Sequence, residues 1–153
     1  MNLKLAKAET KDLKEISRIY KEEFSKPPYN EQWTFALALK RMKNFLKEYD
    51  MWKLVYQNQI VGLTIINTNL WAPKSICFME EMAVKNEFQN RGFGTFMINK
   101  IMKIYKKRGY SVFMAIALKK AKAFKLYKKL GIKESKSLVL IERRFQNGNS
   151  KRF

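Results

Sequence analysis

Histidine is absent from this chain, and Cys77 is its single cysteine. Without histidine there is no Ser-His or Cys-His catalytic pair and no imidazole-ligated metal. One cysteine excludes an internal disulfide and a cysteine cluster for zinc. Cys77 falls in an apolar stretch that reads as a strand, where a thiol behaves as a small core residue. No metal site is expected. Long apolar runs are also missing, and none approaches the length of a membrane span. The start, Met1-Asn2-Leu3-Lys4-Leu5, has no signal-peptide apolar core. A soluble cytoplasmic protein without a membrane partner is the default reading. Carboxylates are scarce: 13 Asp plus Glu stand against 32 Lys plus Arg, a net charge of +19.

What is present argues for one folded domain. The chain has 153 residues, 46% of them hydrophobic, enough to fill a core. The positive balance favours a polyanionic partner such as phosphate, nucleic acid or an acidic membrane. Yet the lysines are scattered and outnumber the arginines, whereas specific phosphate and base recognition leans on the arginine fork. A solvated basic surface is the plainer reading. Nucleic acid stays open as a partner without being favoured, because aromatic platforms interleaved with arginines are not found.

Leu3 to Ala8 alternates apolar and charged residues, as a half-buried strand does. Thr10 is expected to cap a helix reaching Phe24, with Leu13, Ile16, Tyr20 and Phe24 on one face. Ser25-Lys26-Pro27-Pro28-Tyr29-Asn30 breaks it. A second helix runs to about Glu48, with Phe35, Leu39, Met42 and Leu46 as its inner stripe. Met51 to Gln57 and Ile60 to Asn69 read as a hairpin across Asn58-Gln59. Trp71-Ala72-Pro73 is a loop, and Ser75 to Val84 a third central strand. A long helix covers about Gly94 to Lys107 and stops at Gly109. Ser111 to Leu118 is a strand, Lys119 to Leu130 a helix, and Ile132 to Phe145 one or two final strands. The pattern is β-α-α-β-β-β-α-β-α-β: a mixed, mostly antiparallel sheet flanked by helices, over residues 1–146. A polar basic tail, 147–153, has no reason to be ordered.

The chemistry concentrates where Glu80-Glu81-Met82-Ala83-Val84 ends a strand and Gln89-Asn90-Arg91-Gly92-Phe93-Gly94 follows as a turn opening a helix. Glycines let backbone amides approach an anion, and a helix N-terminus behind them favours it. A Rossmann site would want glycine at Met97, and a P-loop would want Gly-Lys-Ser/Thr; neither is present. The Gln-x-x-Gly-x-Gly turn, the later Phe124-Lys125-Leu126-Tyr127-Lys128-Lys129-Leu130-Gly131 helix and the element order together resemble the GNAT superfamily of acetyl-CoA-dependent N-acetyltransferases.

That resemblance implies acetyl-CoA as co-substrate and a primary amine as acceptor. It implies a bulged strand splayed from its neighbour, with the pantetheine arm against main-chain groups of Met82, Ala83 and Val84. It places the pyrophosphate at the amides from Asn90 to Thr95, within the turn Gln89, Asn90, Arg91, Gly92, Phe93, Gly94 and Thr95. The family asparagine seven residues ahead of the tyrosine is here Lys120, a departure that leaves its cofactor contact in question. The segment holding Tyr29, Glu31 and Trp33 lines the acceptor site in that family; a stiff turn packed over aromatics is the competing reading. Trp71 carries the same ambiguity.

An alkylamine must lose a proton before it attacks a thioester, and with no histidine a carboxylate is the natural acceptor. Glu80 and Glu81 are adjacent on a strand and so are expected on opposite faces, Glu80 sharing that of Met82 and Val84. Both are candidates, with Glu80 preferred; a surface pair or salt bridge is the alternative. The Val84 amide is a candidate oxyanion donor. Tyr127 shares a helix face with Phe124 and Leu130, which alone reads as core; the resemblance implies a proton donor to the leaving sulfur. Lys119, Lys120, Lys122, Lys125, Lys128 and Lys129 read as a solvated helix face. A non-catalytic CoA-binding or ribosome-associated basic module on the same fold is the alternative function, and a homodimer is left open.

Overall fold

Five strands form one sheet in the order β1-β2-β3-β4-β5. They are β1 (Leu3–Lys7), β2 (Asp50–Tyr56), β3 (Gln59–Asn67), β4 (Ile76–Val84) and β5 (Val112–Ala115). The computed structural model describes residues 2–145; the expected tail over 147–153 lies outside them. The first four strands pair antiparallel, and β5 joins β4 in parallel. Helices α1 (Leu13–Phe24) and α2 (Phe35–Glu48) cover one face; α3 (Phe93–Lys107) and α4 (Lys122–Lys129) cover the other. This is the mixed, mostly antiparallel architecture expected from the sequence. Among the described residues no helix is long and apolar enough to cross a membrane.

Period-3.6 patterning explains the helices. In α1, Leu13, Ile16, Tyr20 and Phe24 all point inward and are buried. They meet Met42 of α2 and Leu63 and Ile65 of β3 in one core cluster. Each such side chain, fully buried, contributes about 1.5–3 kcal/mol. On the opposite face Ile98, Ile101 and Tyr105 of α3 pack on Ile66, Cys77 and Met79. Cys77 is buried there, as its apolar setting suggests.

Several local expectations shift. Thr10 does not cap α1: it opens a short 3-10 turn, Thr10–Asp12, whose capping box joins Glu9 and Asp12. The inner stripe of α2 is Ala38, Met42 and Phe45, a rotation from the Phe35, Leu39 and Leu46 stripe. The hairpin turn falls on Gln57 and Asn58, whose φ values of 49° and 61° suit a two-residue loop. Strand β5 is short, and α4 begins at Lys122. No strand forms over residues 132–145; the apolar run Leu138 to Ile141 is exposed there.

Candidate active site

The site begins where β4 outruns β5. Strand β5 pairs only with Ile76 to Met79. Beyond Met79, β4 continues to Val84 against β3 alone, and no described strand occupies its other edge. Lys85 donates its amide to the Val61 carbonyl (2.8 Å), while the Gln89 side chain meets the Val84 carbonyl from the other side (2.8 Å). Strand alternation therefore turns the main-chain groups of Val84 and Met82 toward the open edge and those of Ala83 toward β3. Of the three residues expected to face a pantetheine arm, Met82 and Val84 have the matching orientation.

A bulge decides where the two glutamates point. Ile65 pairs with Glu81 and Ile66 with Met79, so Glu80 is the extra residue. Ile65 lies in the cluster under α1 and α2, and Ile66 in the cluster under α3. Glu81 follows Ile65 to the α1/α2 face. Its Oε1 accepts from the buried Tyr20 hydroxyl (3.1 Å) and from Arg41 (3.2 Å). Glu80 accepts from Asn67 Nδ2 at 2.8 Å. Asn67 is one step past Ile66 and so shares the α1/α2 side. Both carboxylates thus lie on one face. The expectation that they oppose each other, with Glu80 beside Met82 and Val84, is overturned, because a one-residue insertion resets a period of two.

Tyr127 reaches toward the same place from α4. It is 7% exposed, and burial, reinforced by Tyr29 and Glu81, pushes its phenol far above the usual range. It therefore keeps its proton and remains a donor at neutral pH. The Tyr20 phenol is likewise raised, chiefly by burial and then by Glu81. Tyr49, at the end of α2, is raised by burial and by the field of Glu80. For Arg41, burial lowers its value, but Tyr20 and Glu81 outweigh that and raise it. Its guanidinium also lies over the Phe45 ring at 4.6 Å and the Trp33 ring at 5.6 Å.

Residues 25–34 form the neighbouring wall. A cavity of about 680 Å³ is lined by Ser25, Asn30, Glu31, Gln32, Trp33 and Thr34. The Trp33 indole donates to Glu31, and Trp33 packs edge-on against Tyr20 at 5.1 Å. Tyr29 sits on Phe24 at 4.9 Å. Both proposed readings of this segment coexist: Tyr29 and Trp33 pack on the core, and Glu31 and Trp33 also line the cavity. Trp71 stands exposed in its loop.

At the far end of β4, Gln89 spans Val84 and Glu23 of α1 (2.7 Å), fixing the start of the turn. Asn90 (φ 59°) and Gly92 (φ 81°) hold left-handed backbone, and Gly92 is the N-cap of α3 without a side-chain cap. The first ladder bond runs from the Phe96 amide to the Gly92 carbonyl (2.9 Å). The amides of Phe93, Gly94 and Thr95 therefore precede the helical ladder. Gly94 has a second duty: a Cβ there would lie 3.1 Å from Leu126 Cδ2, so its absence lets α4 pack on α3. Arg91 rests over Phe93 and Phe88 at 5.5 and 5.6 Å. Lys120 is exposed ahead of α4.

Tyr20, Arg41, Asn67 and Glu23 belong to this constellation and were not singled out by sequence. Tyr20 follows the core stripe of α1, and Arg41 carries no spacing signal, so neither pattern marks them.

This geometry coincides with the comparisons. The chain belongs to the acetyltransferase (GNAT) family, whose model matches residues 12–132. A "possible acetyltransferase" from Clostridium difficile 630 superposes with a TM-score of 0.76 at 15% identity, over 94% of this chain and 99% of that one. The aminoglycoside N-acetyltransferase AAC(6')-Iy, solved with CoA, gives 0.72 at 12% identity over 94% and 96%. The ribosomal-protein-S18-alanine N-acetyltransferase of Escherichia coli gives 0.65 at 19% identity over 84% and 76%. These likenesses are of fold. No curated protein matches the chain in sequence.

Proposed function

We propose that this chain is an N-acetyltransferase that moves an acetyl group from acetyl-CoA directly to a primary amine. The observation that carries the reading is the continuous open track along β4. Met82 and Val84 turn main-chain groups to the strand's free edge, and the track ends at helix amides ahead of the α3 ladder. An extended amide-bearing arm with a diphosphate at one end matches that track in shape and polarity. Met82 and Val84 would hold the arm, and the turn from Gln89 to Thr95 the diphosphate. Bound acetyl-CoA would supply the acetyl group as an activated thioester.

The remaining roles belong to side chains. Glu80 takes the proton from the amine, directly or through a water, while Asn67 fixes its orientation. Glu81 already accepts from Tyr20 and Arg41 and serves to anchor the bulge. The Val84 amide faces the gap as donor to charge developing on the carbonyl oxygen. Tyr127 donates a proton toward the leaving sulfur. Glu31 and Trp33 contact the acceptor from the 25–34 wall. The buried Cys77 is not used, so transfer is direct.

The test is release of free thiol from acetyl-CoA against a panel of amines, beside the melting temperature with CoA. At a CoA concentration 100 times its Kd, stabilisation of about 2.7 kcal/mol is expected. An unmoved melting temperature at millimolar CoA, with no amine-dependent thiol release, would sink the reading.

A further inference from the structure

The largest anomaly lies far from the glutamates, at the β5 side of the sheet. Strand β5 is the sheet's edge and pairs only with β4. The Val112 amide donates to the Ser75 carbonyl (3.0 Å). Alternation then turns the main-chain groups of Phe113 and Ala115 outward, where no described strand meets them. Val112 and Ile116, at and beside this edge, are exposed.

The same chain carries an unpaired strand-forming segment. In Leu138-Val139-Leu140-Ile141, Val139 is 85% exposed, Leu140 75% and Ile141 92%, and Phe145 follows, exposed as well. Every residue of this run is a strand former or strongly apolar. Leu138 and Leu140 would share one strand face, and Val139 and Ile141 the other. A strand apolar on both faces is one that expects cover on both.

We propose that this edge is an interface with a second copy of the chain: residues 138–145 of one copy lie along β5 of the other. The free backbone edge and the free strand are complementary, and each copy offers both, so the contact closes about a two-fold axis. Pairing within one chain would make the added segment a new apolar edge and move the problem by one strand. Exchange brings the two segments together at the axis and gives each a neighbour on both sides. The assembly opposes charge, since each copy carries +19. It therefore tightens as salt rises, the reverse of an association driven by opposite charge. It does not depend on the proposed chemistry.

Light scattering with hydrogen exchange tests it on the full chain. The expected result is twice the 18.2 kDa chain mass, more completely at high salt. The amides of 112–115 and 138–145 should be protected in the dimer, and both should lose protection together on dilution. The V139K/I141K variant changes only exposed side chains and should be monomeric, with the CoA-induced melting shift of the parent. A single-chain mass at every concentration overturns the proposal, including one that sediments with phosphatidylserine vesicles. Protection of 138–145 that survives full dissociation, which marks pairing within one chain, overturns it too. So does a dimer in which 138–145 exchanges freely.

Discussion

Asn67 Nδ2 donates to Glu80 Oε1 at 2.8 Å across β3 and β4, beside a bulge that sets Glu80 and Glu81 on one face. The two carboxylates then differ in company. Glu81 is buried under Tyr20 and Arg41, and Glu80 is half-buried with an amide partner. The difference separates their expected phenotypes.

Glu80→Gln keeps the shape and the Asn67 neighbourhood but removes the proton acceptor. Turnover should fall by about 10²–10⁴, the usual range for a general base. The CoA-induced melting shift should stay unchanged. Glu81→Gln should instead lower thermal stability, because Arg41 and Tyr20 lose their charged partner. Steady-state thiol release and thermal melting separate the two. Full activity in Glu80→Gln would transfer the role elsewhere.

Tyr127→Phe removes one oxygen from a buried ring. Its packing against the α3 cluster survives, so melting temperature and CoA affinity should change little. Loss of the donor should appear in kcat with acetyl-CoA affinity retained. Unchanged turnover would leave Tyr127 as a core residue only.

Gly92→Ala tests the turn. At φ 81° a Cβ costs about 1–2 kcal/mol even though nothing crowds it. For a domain of this size that lowers the melting temperature by roughly 2–4 °C per kcal/mol. If the amides behind Gly92 hold a diphosphate, the CoA-induced shift should shrink by more than this baseline loss. Isothermal titration with CoA measures the difference.

Asp12 offers a pH test away from the site. Burial alone would raise its carboxyl, but the Lys53 hydrogen bond (2.6 Å), the Glu9 amide and the lysine charges outweigh burial and hold it below the usual range. A lowered folded value means the stabilisation is complete above about pH 4, the unfolded value. It is lost as pH falls through the folded value. Asp12→Asn should cost about 1–3 kcal/mol at neutral pH. It should also flatten the acid side of the stability curve, read by denaturant melts at several pH values.

Much of the architecture was legible because each element is long against its own period. The α1 stripe Leu13-Ile16-Tyr20-Phe24 and the turn from Gln89 to Gly94 stand almost where the sequence places them. The bulge was not legible, since one inserted residue leaves composition untouched while reversing faces. The roles of Tyr20 and Arg41 depend on β4 arriving beneath α1 and α2, a contact distant in sequence. Residues 132–145 have strand-like composition and no partner in a single described chain, which composition alone does not reveal.

Helix α3 is moored at its rear. Asp50 accepts from Tyr105 and Arg108 near that end and from Lys7 of β1, while Trp52 donates to the Tyr105 hydroxyl at 3.2 Å. A rod tied to the opposite margin of the sheet resists sliding along its own axis. Its front amides are thus stationed before any guest arrives. Little ordering remains to be done on docking, so tightness there should follow from polarity rather than from closure of a mobile flap.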